Sequence, residues 1–333
     1  MSTRVLVARL DSDGDVLLAG PAIRAAAASG EVTLLCGPHG RQAAELLPGV
    51  SEIIEWTCPW VVPDPPQLDP ADVHDLVDHV AAQRCDVALV LTSFHQSPLP
   101  LALLLRLAGL PRIAATSVDY AGSLLDIRLR EDEDIPEAVR ALNVAQAAGF
   151  ALPIDDDGLL RVKVPPKFDG PHGYVVVHPG ASVPARAWAP SLCAETVVAL
   201  VEAGHHVFVT GGPGERELTA RVAGDHGVDL GGLTSFAELA GVLAGAEAVV
   251  VGNTGPAHLA AAVGTPVVSL FSPVVPASRW APYGVEVRLF GDQWAECRGT
   301  RARECPVPGH PCLNTISPDA VVAAVDELQV VAS

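Results

Sequence analysis

The sequence predicts an α/β protein built as two similar halves, and three observations predict it. Short apolar runs such as RVLVARL, EVTLLCG, YVVVH and LAGAEAVVV alternate with longer Ala- and Leu-rich stretches, as buried parallel strands alternate with covering helices. Polar turns bearing Asp, Gly or Thr follow several of these runs, where a strand hands over to a helix. The construction then repeats after the polar, proline-bearing stretch between residues 151 and 173. With 333 residues, each half is long enough to bury a substantial core. A composition 49% hydrophobic but only 5% aromatic suits layered packing of small aliphatic side chains better than a coiled coil or a disordered chain.

In the first half, Val5, Leu6 and Val7 mark a central strand, followed by the polar turn Asp11–Asp15 and an Ala-rich helix. Glu31–Gly37 is the next strand, and SEIIEW, CDVALVLTS and PRIAATS supply the later ones. The boundary LPIDDDGLLRVKVPPKFDGPHG is poorly periodic, with part of it free to form an edge strand. The second half resumes with a strand at Tyr174–Val177, a helix near SLCAETVVALVEAG, the strand HHVFVTGG and a helix around GERELTARVAG. LTSFAELAGVLAGA and the run from Gly252 to Pro273 then read helix, strand, polar turn, helix, strand. The final SPDAVVAAVDELQVVA is an amphipathic helix. Two such halves are expected to leave a ligand cleft at the carboxyl ends of their strands.

A net charge of −18, from 39 acidic and 21 basic residues, argues against general nucleic-acid binding and against docking onto an anionic membrane. It leaves room for an anionic small ligand, because backbone donors and one or two arginines can dominate a pocket. No apolar segment of spanning length carries the flanks of a membrane helix. The chain enters its first strand without a signal-peptide region, so a cytoplasmic location is expected. Seven cysteines in a chain of this length do not form a disulfide scaffold.

Several turns carry candidate chemistry. Asp11, Asp13 and Asp15 crowd one turn: one of them can cap the helix, or Asp15 at the helix entrance can accept a proton from a sugar hydroxyl, with Asp13 the alternative base. In HPGASVPARAWAP, Gly180, Ala181 and Ser182 can form a phosphate-facing turn, and Arg186 can stabilise a leaving diphosphate. Trp188 and His178 read as packing residues. Glu215, in VTGGPGERE, can accept from a ribose or cap the following helix. In GNTGPAHL, Thr254 and Gly255 open a helix whose free N–H groups suit a phosphate; Asn253 can orient the sugar, and His258 can donate to phosphate or sit in the core. No turn matches a P-loop or GxGxxG, which weighs against kinases and simple dehydrogenases. Cys297, Cys305, His310 and Cys312 are types that zinc uses, but without paired CxxC knuckles they read as buried thiols in a packed loop, and no metal site is expected.

These segments, in this order, resemble the ADP-heptose:lipopolysaccharide heptosyltransferases of glycosyltransferase family 9. SDGDVLLAGPAIRAA resembles the family's opening loop and helix, HPGASVPARAWAP its donor-phosphate segment, and GGPGERE its nucleoside-contact region. The run from LGGLTSF to SLFSP is the most diagnostic, and RWAPYG and CLNTISPDAV continue the likeness. The resemblance implies a GT-B fold, two Rossmann-like domains facing across a cleft: residues 1–160 on the acceptor side, 161–318 on the donor side, and a helix over 319–333 that packs across domains. It implies inverting, metal-independent transfer without a cofactor. Asp15 would be the base and Arg186 the group that eases departure of the diphosphate. Ser182, Glu215, Asn253, Thr254, Gly255 and His258 would contact the donor, with ADP-heptose the expected one. The acceptor would be a hydroxyl of a saccharide or small molecule, and the oligomeric state is left open. Two positions depart from the pattern: Arg186 stands where the family commonly has lysine, and Asn253 where many members carry an aspartate. The amide keeps hydrogen bonding but loses the charge, so another nucleotide sugar is the alternative donor. A sugar-nucleotide binding protein without catalysis is the alternative from another class.

Overall fold

The computed structural model describes residues 2–62, 64–131, 133–171 and 173–332. The chain divides into two compact units, Met1–Lys163 and Val164–Ser333. The first unit runs β1 (Thr3–Arg9), α1 (Asp13–Leu18), α2 (Gly20–Ala27), β2 (Gly30–Cys36), α3 (Arg41–Leu46) and β3 (Val50–Glu55). It continues with α4 (Pro70–Gln83), β4 (Val87–Val90), α5 (Leu99–Leu107), β5 (Ile113–Thr116), β6 (Ile127–Leu129) and α6 (Glu137–Ala147). Local chemistry sets the element ends. Asp69 caps α4 by accepting the Ala71 N–H at 2.9 Å, Pro70 fits its first turn, and Arg84 closes it in a left-handed conformation with φ 52°.

The six strands form a parallel sheet in the order β3-β2-β1-β4-β5-β6. Val5 pairs with Val32 on one side and Val87 on the other, and Leu6, Leu34, Leu89 and Ile113 are fully buried, as strands covered on both faces require. The sense in which successive strands are added to the sheet reverses between β1 and β4. At that switch point the Asp11–Asp15 turn leaves β1 and the Thr92–Gln96 turn leaves β4.

The polar boundary stretch forms no strand among its described residues. Side chains of the helices hold its first part instead. The buried Arg24 of α2 donates to Asp156 at 2.6 and 2.9 Å and to the Leu159 carbonyl at 2.7 Å. Lys163 donates its N–H to the Leu46 carbonyl at 2.7 Å and its ammonium to that of Glu45 at 2.9 Å. With its backbone satisfied in this way, the segment needs no ladder partner and belongs to the first unit up to Lys163.

The second unit repeats the plan with β7 (Tyr174–His178), α7 (Pro190–Glu202), β8 (His206–Val209), α8 (Arg216–Ala223), β9 (Val228–Asp229), α9 (Phe236–Ala244) and β10 (Ala246–Gly252). It ends with α10 (Gly255–Ala262), β11 (Val267–Leu270), α11 (Ala277–Trp280), β12 (Val287–Phe290), α12 (Pro311–Asn314) and α13 (Pro318–Ala332). Its parallel sheet has the order β12-β11-β10-β7-β8-β9, which places the switch point between β7 and β10. Two parallel six-stranded sheets flanked by helices give the α/β architecture expected of a GT-B chain.

The C-terminal helix contributes to the core of the second unit. Its stripe Val321, Ala324, Val325 and Leu328, at the i, i+3, i+4, i+7 spacing of one helical face, joins Cys193, Val197 and Leu200 of α7 in the core of the second unit. Ser333 lies outside the described residues. Among the described residues, no helix is long and apolar enough to cross a membrane.

Candidate active site

In the first unit the switch point is a buried cluster of charges centred on one arginine. Arg9, the last residue of β1, is 3% exposed. Its Nη2 donates to Asp15 Oδ1 at 2.7 Å and to Ser93 Oγ at 3.0 Å, and its Nε lies 3.1 Å from Asp11 Oδ2. The other oxygen of Asp15 accepts from Ser12 Oγ at 3.0 Å, and Asp11 accepts from Gln96 Nε2 at 2.6 Å. Burial pushes the Asp11 carboxyl up to about 6 although Arg9 pulls it down, and the neighbouring Asp15 adds to the rise. Asp13 plays a different part, accepting the Ala43 N–H of α3 at 2.9 Å. Burial lifts its carboxyl to about 6 against that bond. The three aspartates thus separate into two ion-paired with Arg9 and one pinned to a neighbouring helix.

In the second unit the remaining predicted residues stand at the carboxyl ends of β7, β8 and β10. Ser182 is exposed in the loop after β7, and Arg186 closes a short 3₁₀ turn, Pro184–Arg186. The end of β10 lies against that turn, with the Arg186 carbonyl oxygen 3.0 Å from where a Cβ on Gly252 would stand. His178 is buried and shares a 3.0 Å hydrogen bond with Thr210 Oγ1. Burial lowers its pKa, with the Glu215 carboxylate opposing, so the ring is held toward the neutral form. Glu215 accepts the Gly212 N–H at 2.7 Å, the capping arrangement of the two sequence readings. Its carboxylate occupies the space over Gly180, where a Cβ would stand 2.0 Å from Oε1.

Thr254 is the N-cap of α10 and makes no side-chain cap bond, while Gly255 and Pro256 form the first turn. This helix start therefore keeps backbone N–H groups for an anion. Asn253 is 4% exposed, and its amide Nδ2 has no hydrogen-bond partner among the described residues. An amide N–H in that position is costly unless something accepts from it. His258 is buried on the same helix.

The chain matches glycosyltransferase family 9 (heptosyltransferase) over residues 80–310, well over half its length. The chain belongs to glycosyltransferase family 9. It is 30% identical over 162 residues to lipopolysaccharide heptosyltransferase 3 of Escherichia coli, covering 46% of each chain. It is 34% identical over 152 residues to lipopolysaccharide heptosyltransferase 1 of Pseudomonas aeruginosa, covering 44% of this chain and 42% of that one. The chain thus spans about half the length of the curated relatives it matches. In fold it is similar to E. coli ADP-heptose lps heptosyltransferase II, with a TM-score of 0.76 at 20% identity over 99% of both chains. It is also similar to E. coli heptosyltransferase WaaC solved with ADP, with a TM-score of 0.73 at 19% identity over 98% of this chain and 100% of that one.

One feature of this family 9 chain escaped the sequence reading. Arg9, Ser93, Gln96 and Glu137 gather around Asp11 and Asp15 from three separate parts of the first unit, and no local motif links them. The cysteine-bearing segment after β12 buttresses the loops after β7 and β11. The Arg303 carbonyl accepts the Ala185 N–H at 2.9 Å, the Arg301 N–H donates to the Val274 carbonyl at 2.8 Å, and the Gly299 N–H donates to that of Pro273 at 2.9 Å. Cys297 packs with Ala185 and Val274, Cys312 is buried, and burial raises both thiols. Among the described residues, no three His, Cys, Asp or Glu side chains stand close enough to hold a metal ion.

Proposed function

We propose that this family 9 chain is an inverting, metal-independent glycosyltransferase that moves heptose from ADP-heptose to a hydroxyl of a saccharide or small-molecule acceptor. One observation carries the reading: the switch point of the first unit holds an ionisable carboxylate turn, whereas that of the second holds an uncapped helix start beside a buried amide donor. The first suits proton removal and the second suits a diphosphate. Asp15 takes the proton of the acceptor hydroxyl. The oxygen attacks the anomeric carbon as the bond to the diphosphate breaks, and one direct displacement inverts that centre. Arg186 and the N–H groups at Thr254 and Gly255 receive the charge of the leaving group, the service a metal ion gives elsewhere. Ser182, Glu215, Asn253 and His258 complete the donor contacts, and no cofactor takes part. The choice of ADP-heptose is supported by the relatives, among them WaaC solved with an ADP-2-deoxy-2-fluoro heptose.

The neutral Asn253 favours one second reading, a different nucleotide sugar. Calorimetry with ADP-, GDP- and UDP-sugars separates the two: selective saturable binding of ADP-heptose supports the first, and preference for another member supports the second. Asp15→Asn should lower kcat/KM about 100- to 10,000-fold with donor binding intact. Equal loss of binding and turnover would remove the base from Asp15, and undiminished turnover after chelation is expected. A chain that binds the donor and transfers to no acceptor would be a binding protein.

A further inference from the structure

We propose that Arg9 is the positioning residue of the Asp15 carboxylate, with Glu137 and Ser93 holding Arg9 in place; this rests on the reading of Asp15 as base. Arginine suits this role because its planar fork reaches several acceptors at once in a fixed geometry. One nitrogen, Nη2, donates to Asp15 at 2.7 Å and to Ser93 Oγ at 3.0 Å, so the bond that orients the carboxylate is braced from the loop after β4. Nε faces Asp11 at 3.1 Å and Nη1 faces Glu137 Oε2 at 3.9 Å, which closes the remaining sides with negative charge.

Glu137 is 2% exposed at the start of α6 and is held in turn by Arg140 at 3.3 Å. Arg140 also meets Glu131 at 3.1 Å and donates to the Thr92 carbonyl. Among the described residues, the ion-pair partners of Arg9 are these three carboxylates, and a second arginine anchors the most buried of them. Asp15, with its side chain 20% exposed, is the most accessible of the three carboxylates around Arg9 (Asp11 is 12% exposed and Glu137 2%). Ser12 fixes its second oxygen at 3.0 Å. The arrangement presents one carboxylate to solvent in a set orientation, with its charge maintained from behind. Arg9 and Ser12 thus fix the orientation in which that carboxylate meets a hydroxyl.

The test is a titration of Asp15 by ¹³C NMR in protein labelled at the aspartate carboxyls, the signal being assigned by its loss in Asp15→Asn. Arg9→Gln should raise the midpoint of Asp15 by about 1–3 pH units, because an opposite charge at this range favours the ionised form. Glu137→Gln removes a competing negative charge and should lower it. Arg9→Lys keeps the charge without the fork: the midpoint should stay close to that of the parent while ADP release from ADP-heptose slows at unchanged donor KM. Unmoved midpoints in Arg9→Gln and Glu137→Gln would overturn the proposal. The titration needs no substrate, so it is decisive whatever the donor proves to be.

Two further comparisons keep the failures apart. If Arg9 acts through Asp15, Arg9→Gln should add little to the loss of ADP release already caused by Asp15→Asn; multiplied losses would overturn the link. Full activity of Asp15→Asn would end the base reading together with this one. Full activity of Arg9→Gln beside an inactive Asp15→Asn would end this one alone. Should Arg9→Gln fail to fold, Ser93→Ala leaves every charge in place, removes one brace and should lower kcat without altering donor KM. An unchanged kcat there would count against the brace.

Discussion

Replacing Arg24 with methionine should loosen the tail of the first unit in a way that depends on pH. Arg24 and Asp156 are each only 9% exposed, and the guanidinium makes two bonds to the carboxylate and one to the Leu159 carbonyl. The hydrogen bond from Arg24 leads in pulling the Asp156 pKa from 3.8 to about 2; burial opposes it, and the Gly158 N–H and Arg161 assist. At about 1.4 kcal/mol for each pH unit, that depression stabilises the folded chain by about 2.5 kcal/mol at neutral pH. A carboxylate whose folded pKa is depressed contributes fully above its unfolded value and loses the contribution as pH falls through the folded one. The stabilisation should therefore be complete at pH 6–7, drop to about half near pH 3 and be nearly gone at pH 1. Urea unfolding at pH 7 should show Arg24→Met less stable by about 2–3 kcal/mol, with the gap to the parent shrinking as the pH is lowered to 3. Amide hydrogens at residues 156–163 should lose exchange protection in the variant. A gap that is absent at pH 7, or that persists undiminished at pH 3, would refute the role given to this pair.

The aspartates of the first turn should separate by function. Asp13→Asn keeps an oxygen to accept the Ala43 N–H and removes a carboxyl whose folded pKa is raised to about 6 by burial. A raised carboxyl costs stability as pH climbs through 4–6, so the variant should be more stable than the parent at pH 7, equal to it near pH 3.5 and still active; loss of turnover would return Asp13 to the role of base. Gly180→Ala places a Cβ 2.0 Å from Glu215 Oε1 and should push that carboxylate off the Gly212 N–H. A flexible side chain can yield, so a melting curve should move little while ADP affinity by calorimetry falls about tenfold, the worth of about one hydrogen bond. Asn253→Ala removes a buried amide whose Nδ2 has no protein partner among the described residues. The ligand-free chain should melt within a few degrees of the parent, whereas stabilisation by added ADP-heptose should shrink; a large loss without ligand would make the amide structural.

How much of this was legible in the sequence follows from the range of the forces involved. Central strands such as Val5–Val7 and Val249–Val251 are buried on both faces and show as continuous apolar runs. The edge strands Ile127–Leu129, Val228–Asp229 and Val287–Phe290 are short and partly exposed, so nothing in their composition separates them from loops. Turns at the ends of central strands were legible for the same reason: a polar cluster after an apolar run marks a handover from strand to helix. Asp15, Arg186 and Asn253 stand on such turns or just beyond them. Arg9 was not legible in this way, because in RVLVARL it reads as the polar end of a strand, and Ser93 and Glu137 reach it only once β4 and α6 are placed. The boundary near residue 160 was visible as a shift in composition. The bonds that hold its first part were not, since Arg24 and Asp156 are 132 positions apart.

The two units apply one strand order to opposite electrostatic ends. In the first, the switch point collects side-chain charge: two arginines and four acids around β1, β4 and α6. Such a cluster is costly to bury and survives because each charge meets an opposite one, so single substitutions within it should be felt well beyond the residue changed. In the second, the switch point offers neutral dipoles at the start of α10 and the amide of Asn253, with Arg186 the one cation among the predicted donor contacts and the Glu215 carboxylate already holding the Gly212 N–H after β8. Backbone donors fixed by a helix need no counter-charge while nothing is bound, and they gain most when an anion arrives. Changes of pH should accordingly act on turnover through the first unit more than on nucleotide affinity through the second. The acid limb of kcat should follow substitutions at Arg9 and Glu137, while the Kd for ADP should stay nearly flat from pH 6.5 to 8.5. A Kd for ADP that tracked the same acid limb as kcat would show that the two ends are not separable, and would undo this division of labour.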